Sequence, residues 1–408
     1  MPADALDPRD ILGFDPYARE FVLDPYPVYR GMAGTAGPVW RTPAGLFVVT
    51  SHEHCSAVLR DGRFGRGGDV LVLGASPAPG RDPSVRSFLA MDPPDHTRLR
   101  RLVSRAFTPR VIEGYRTTVE RLVADLLDKA LAEEGEVDLV ASLAFPLPTT
   151  LIGDMMGVPA GDWERFTGWI RALAQGLDPD FVLSPEKLEL RERARGEFRD
   201  YFAELAAKRR VTPGDDLLSA LVAVRDEGDA LTEAELLATC ILLIVSGHET
   251  TASLIGNGAL ALMRDPERLD WFRQHPERQD VVVDELARYE SSVQLTVRKA
   301  LTDAEIGDVP VPRDSIVVLL LAAANRDPAV FDDPDRLHFD RRPNRHIAYG
   351  LGIHHCMGAP LARLEAEVAL SELVRRAPGL RLAVPDDALR YKDQLVLRGL
   401  RELPVHLN

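Results

Sequence analysis

From Pro94 onward the chain alternates long stretches of helical periodicity with short continuous apolar runs. Apolar residues recurring every three or four positions predict helices over Thr97–Ala106, Val111–Ala132, Leu188–Lys208 and Thr232–Met263. Extended runs at Leu46–Thr50, Ser315–Leu321 and Gln394–Leu397 read as strands. The first 80 residues are rich in Pro and Gly, and Gly74–Pro83 (GASPAPGRDP) reads as a turn-rich loop. No fixed-period repeat or low-complexity tract interrupts this pattern. The reading is a mainly α protein with a small β region. No clean linker divides the chain, so 1–408 is read as a single domain.

The segment Thr232–Met263 stands apart. Thr232 can cap its start, and Glu235 completes a capping box three residues on. No proline follows until Pro266. At about 1.5 Å per residue such a helix crosses a whole domain. Its middle, Ile241–Ser246, is apolar nearly all round and is expected to be buried. That stretch runs straight into Gly247, His248, Glu249, Thr250 and Thr251, and apolar residues resume at Ala252–Ile255. Glycine costs roughly 1 kcal/mol inside a helix. A carboxylate is costly to bury. Local rules broken in the middle of a core helix point to a functional site.

Composition narrows the function classes. There are 49 Lys and Arg against 63 Asp and Glu, a net charge of −14. A uniform acidic excess argues against nucleic acid or an anionic membrane as the main partner. The N-terminus (MPADALDPRDILGFDPYARE) shows no basic region followed by an apolar one, and the apolar stretch around Cys240–Val245 is too brief for a membrane span. The expectation is a cytoplasmic protein. Three widely separated cysteines, Cys55, Cys240 and Cys356, form no disulfide framework. In a reducing compartment each is either inert core or a reactive or ligating thiolate.

The densest chemical signal is Ala348–Arg363, AYGLGIHHCMGAPLAR. Gly350, Gly352 and Gly358 flank Cys356 and let the backbone turn tightly beside a large flat ligand. Pro360 suits the first turn of a helix that runs on to Arg376. Cys356 therefore sits just before a helix N-terminus, where the dipole and free amides favour a thiolate. Zinc is a weaker reading, because adjacent His354, His355 and Cys356 converge poorly on one tetrahedral ion. His248-Glu249 begins like H-E-x-x-H, but position 252 is alanine. A Cys-His hydrolase rests on sequence adjacency alone.

This loop resembles the haem-binding signature of cytochromes P450, F-x-x-G-x-H/R-x-C-x-G, with Tyr349 where the family usually has Phe. The resemblance extends along most of the chain. Ser246–Thr251 is similar to the oxygen-activation stretch A/G-G-x-D/E-T-T, with Ser246 a mild departure. Glu285-Leu286-Ala287-Arg288 matches E-x-x-R. Asn325–Pro328 and Phe331–Arg341 resemble the family's meander, with Leu337 and His338 in place of the usual Phe-Asp. Met91–Arg100 (MDPPDHTRLR) resembles the start of the third helix of bacterial members.

The resemblance implies the cytochrome P450 fold and a monooxygenase that inserts one atom of O2 into an apolar organic substrate by hydroxylation or epoxidation. It implies haem b as cofactor, with Cys356 as the axial iron ligand and Gly350 and Gly247 close to the group. His96, Arg100, Arg298 and His354 would pair with the propionates. Glu249 and Thr250 would manage protons, an acid–alcohol pair that the family's peroxygenases lack. Glu285, Arg288 and Arg341 would be structural. Ile244, Val245, Ser246, Leu295, Val297, Leu395 and Val396 would line the substrate pocket, along with the segment Phe166–Phe181. Electrons would come from NAD(P)H through a ferredoxin and its reductase, with Arg98, Arg101 and Arg105 as a docking patch. The overall likeness is to actinobacterial members that tailor secondary metabolites. The alternative in another class is a haem-binding sensor or carrier without turnover.

Overall fold

The computed structural model describes residues 8–67, 87–174, 178, 183–224 and 228–408. The expected loop Gly74–Pro83 lies outside them, as do Phe181 and several of its neighbours.

Helices dominate. The helix expected at Thr97–Ala106 is Asp95–Ala106. Leu188–Lys208 lies inside Pro185–Val211, which starts earlier because the Ser184 hydroxyl accepts from the Lys187 amide and Pro185 fills the first turn. The capping box on the long helix Glu233–Arg264 is reciprocal. The Glu235 amide donates to Thr232 Oγ1 at 3.2 Å, and the Thr232 amide donates to Glu235 Oε2 at 2.8 Å. The helix after the cysteine is Ala359–Arg376.

Three expectations change. Val111–Ala132 is not one helix but two, Pro109–Glu113 and Arg116–Ala132. The break falls at Gly114, a poor helix former, where the Tyr115 amide closes a tight turn on Ile112 O at 3.0 Å. Gln394–Leu397 is not a strand but makes an isolated bridge, Val293 to Leu397. The bridge rests on two hydrogen bonds, Gln294 N to Val396 O and Arg398 N to Ser292 O, each 2.8 Å, while the Gln294 carbonyl accepts from the Ala322 amide. The Pro-rich first third contains helices, including Tyr26–Ala36 and His52–Arg60. In the first of these, Pro27 occupies the opening turn, where its missing N–H costs nothing.

The chain forms two compact units and passes between them repeatedly. The first comprises Met1–Gly65, Thr118–Leu147 and Thr250–Asn408. It carries a five-stranded sheet in the order Val39–Arg41, Phe47–Val49, Ile316–Leu319, Thr296–Ala300, Phe64–Gly65. Phe47–Val49 and Ile316–Leu319 run parallel, and the other pairs are antiparallel. Phe47, Val49, Cys55, Phe64, Leu319 and Ile347 pack into one cluster on this sheet, which ties the strands to the segment leading into the cysteine loop. The second unit, Arg66–Thr117 and Pro148–Glu249, is helical. Its core includes the stacked pair Phe198–Phe202, 4.4 Å between ring centroids, with Trp169 edge-on to Phe198.

Among the described residues, Glu233–Arg264 is the one helix long and apolar enough to cross a membrane. Its most apolar window is 72% buried within the protein, as befits a core helix.

Candidate functional site

The cysteine loop is bent by glycine and closed by its own backbone. The Cys356 amide donates to Tyr349 O at 2.9 Å, and the Gly350 amide donates to Ile347 O at 2.9 Å. Gly350 and Gly352 have φ of +68° and +69°, a region that favours glycine. At Gly352 space decides as well, since a Cβ there would lie 2.2 Å from the Leu59 carbonyl oxygen. His354 ends a short turn, Gly352–His354, and Gly358 caps the following helix. Cys55 and Cys240 are buried, and burial pushes both thiols up. Cys356 is exposed. A Cβ on Gly358 would sit 3.9 Å from its sulfur, so glycine keeps one side of Sγ clear.

Beside this loop lies a cluster that the sequence reading missed. The Arg363 guanidinium stacks over the Tyr349 ring, 4.3 Å from its centroid. Arg363 Nε donates to Asp284 Oδ1 at 2.7 Å, and His346 Nε2 lies 3.5 Å from the same oxygen. Burial pushes the Asp284 carboxyl up, but His346 and Arg363 outweigh it and hold the group below the usual carboxylate range. The Tyr349 hydroxyl is buried without a hydrogen-bond partner among the described residues. The signal was present in the sequence, since Arg363 closes the GAPLAR run, but its partner is distant in sequence.

On the long helix burial is displaced from the expected stretch. Leu243, Ile244 and Val245 are buried, yet Ile241 and Leu242 are only partly so and Ser246 is exposed. His248, Glu249 and Thr251 are buried instead, and Thr250 is half-buried. The polar residues tolerate this because they are held in place. His248 Nδ1 lies 3.3 Å from Ile244 O, and His248 Nε2 lies 3.2 Å from Glu249 Oε2. Ser246 Oγ donates to Leu242 O at 2.6 Å. At Gly247 a Cβ would make ordinary contact with Ile152, 3.7 Å away.

Glu285 and Arg288 are not a surface pair. Both are buried, and the guanidinium meets the carboxylate through two hydrogen bonds of 2.8 Å. Arg288 also donates to the carbonyls of Asn325, Pro334 and Arg336 at 3.0, 2.8 and 3.0 Å. Arg341 Nε reaches Glu285 at 3.3 Å, and the His338 amide donates to Glu285 Oε1 at 2.9 Å.

His96 and Arg100 share one helical face and a common neighbour. The Phe88 ring lies 6.3 Å from the His96 ring centroid and 5.9 Å from the Arg100 guanidinium carbon. Burial, then the Arg100 charge, pushes His96 below its usual range. Both residues belong to the second unit, whereas Arg298, His354 and Cys356 belong to the first. Arg298 is buried, and its Nη1 donates to Val297 O at 2.9 Å. Leu295, Val297, Leu395 and Val396 are buried, and the Gln294 amide links their two segments by donating to Val396 O at 2.8 Å. Of the expected docking arginines, Arg98 is committed internally to Asp229 and Glu235, because its helix faces their carboxylates. Arg101 and Arg105 are exposed.

Among the described residues, no three His, Cys, Asp or Glu side chains are grouped to hold a metal ion. A metal on Cys356 must bring its other ligands with it, as the iron of a porphyrin does. One accessible sulfur in a glycine-lined loop fits that group and does not fit tetrahedral zinc.

Comparison with known proteins agrees. The profile described as Cytochrome P450 matches residues 25–275 and 279–378. The chain is 41% identical over 407 residues to Cytochrome P450 107B1 of Saccharopolyspora erythraea, covering 97% of each. It is 41% identical over 379 residues to the Mycinamicin IV hydroxylase/epoxidase of Micromonospora griseorubida, covering 90% of this chain and 91% of that one. Among solved structures, the Bacillus subtilis bacillaene polyketide synthase cytochrome P450 PksS superposes with a TM-score of 0.87 at 37% identity, over 97% of this chain and 100% of the other. With a named hydroxylase among its relatives, the non-catalytic sensor reading has no support.

Proposed function

We infer residue roles from one premise: this chain belongs to the cytochrome P450 family, and is a monooxygenase with haem b as cofactor, O2 as co-substrate and electrons from NAD(P)H delivered through partner proteins. Cys356 would hold the haem iron in this reading. The observation that carries it is the exposed sulfur at the start of a helix, in a loop that glycines bend and keep clear. Bound there, haem b supplies the iron at which O2 is reduced and split, with thiolate donation favouring O–O cleavage.

The chain's own residues then divide the work. His96, Arg100, Arg298 and His354 hold the propionates, whose charges need partners away from water. Gly350 and Gly247 let backbone approach the group. Thr250 Oγ1 offers a hydroxyl that orders a water, and the Glu249 carboxylate passes protons inward. His248 Nε2 lies 3.2 Å from that carboxylate on the same helix. Glu285, Arg288 and Arg341 are structural, and 1–408 acts as one functional domain.

Ile244, Val245, Ser246, Leu295, Val297, Leu395 and Val396 line the substrate pocket. All but Ser246 are apolar, which suits an apolar organic molecule. Likeness to the mycinamicin and bacillaene enzymes supports a secondary-metabolite tailoring role, by hydroxylation or epoxidation. A ferredoxin and its reductase supply electrons in the cytoplasm, with docking at Arg101 and Arg105. The deciding experiment is the reduced carbonyl spectrum of the haem-loaded protein, wild type against Cys356→Ser. A thiolate-type spectrum that the serine variant loses is expected. A histidine-type spectrum, or one that the substitution leaves unchanged, overturns the assignment.

A further inference from the structure

We propose that the Arg363–Asp284 ion pair, laid against the Tyr349 ring, sets the reduction potential of the iron held by Cys356. The inference rests on the Cys356 reading above. The pair is anchored on two rigid elements. Arg363 lies in the second turn of the helix that follows the cysteine loop, and Asp284 precedes the buried Glu285 on helix Gln279–Tyr289. One hydrogen bond of 2.7 Å joins them, and the guanidinium faces the Tyr349 ring at 4.3 Å. The ring is tied to the sulfur's own peptide, because Tyr349 O accepts from the Cys356 amide at 2.9 Å.

Tyr349 is where this chain departs from the family's usual Phe. Its buried hydroxyl finds no partner among the described residues, which is unfavourable. The ring face, which a phenyl would offer equally, is occupied by the Arg363 cation. The ring covers one face of the guanidinium, and the pair is half-buried, at 31% and 37% side-chain exposure.

Charges held in this way act on the iron with opposite sign. Reduction adds an electron at the metal, so Arg363 favours the reduced form and Asp284 opposes it. Neutralising each in turn therefore moves the potential in opposite directions. Loosening of the loop, the purely structural alternative, gives no such antisymmetry.

The test uses haem-loaded wild type, Arg363→Gln, Asp284→Asn and the double variant. The wild-type carbonyl spectrum comes first and tests only the iron ligand. Redox titration then tests the pair. At a fixed poise, Arg363→Gln should lower the ratio of reduced to oxidised enzyme about threefold or more, and Asp284→Asn should raise it comparably. The double variant should return close to wild type. Shifts of the same sign, or no shift in either single variant, overturn the proposal. If Arg363→Gln does not retain haem, Arg363→Lys keeps the charge and must hold the wild-type potential, while Asp284→Asn still has to raise it.

Discussion

His248 Nε2 and Glu249 Oε2 lie 3.2 Å apart, although the two residues are consecutive on one helix and both are buried. Neighbouring helical side chains normally diverge by about 100°, yet these two approach each other. It places a polar neighbour beside Glu249 inside the core, where a bare carboxylate would be costly.

Removing His248 tests whether the pair carries protons. His248→Leu should keep haem and the thiolate-type spectrum. Turnover should fall roughly tenfold, with a larger solvent deuterium effect. Steady-state rates in H2O and D2O check this. Equal rates and an unchanged isotope effect would remove His248 from the proton path.

Thr250→Ala asks the complementary question. The half-buried hydroxyl is placed to order a proton donor, and alanine keeps the helix intact. NADPH consumption should continue, with most reducing equivalents appearing as hydrogen peroxide instead of product. Product and peroxide measured per NADPH decide it. Coupling equal to wild type would exclude the hydroxyl from the proton step.

Much of this was legible in the chain. Thr232 and Glu235 mark a helix start by local chemistry alone, and the structure has the same reciprocal cap. The cysteine loop was legible because φ-permissive glycines are needed at fixed offsets. What stayed hidden depends on residues far apart in sequence. Arg98 meets Glu235 only after folding, 137 positions on. Arg363 meets Asp284 across 79. Periodicity ran through Gly114, where backbone preference broke the helix. It also read Gln394–Leu397 as a strand, where the pairing stops at a single bridge to Val293, a partner that periodicity cannot see.

The commitment of Arg98 sharpens the docking expectation. Arg101→Glu should weaken ferredoxin-supported turnover and flatten its salt dependence, because an exposed cation steers an acidic partner. Rates over a range of ionic strengths check this. Arg98→Gln should instead cost folding stability, since it removes the cation beside the buried Glu235 carboxylate. An Arg101→Glu enzyme with wild-type salt dependence would move the docking surface elsewhere.

Arg288→Lys keeps the charge but loses the fork. Lysine has no planar pair of donors for Glu285, and it cannot also reach the carbonyls of Asn325, Pro334 and Arg336. Breaking a buried ion pair costs about 3–5 kcal/mol. Denaturant unfolding should show that loss together with reduced haem retention, and any protein that does load should keep wild-type product selectivity. A stable, fully loaded lysine variant would contradict the structural role.

Glu365 supplies the pH dependence. It is fully buried on helix Ala359–Arg376, its Oε2 has no hydrogen-bond partner among the described residues, and burial raises its carboxyl well above 4.5. The unfolded chain releases this proton near pH 4.5, whereas the folded protein keeps it to higher pH. Between those values the folded state binds more protons, so stability falls as pH rises. Below the unfolded value both states are protonated and the penalty vanishes. Glu365→Gln cannot ionise and should lose this slope. Melting temperatures of the two proteins should differ least near pH 4 and diverge in favour of the variant toward neutrality. Parallel curves across that window would mean that Glu365 ionises in the folded protein much as it does in the unfolded chain.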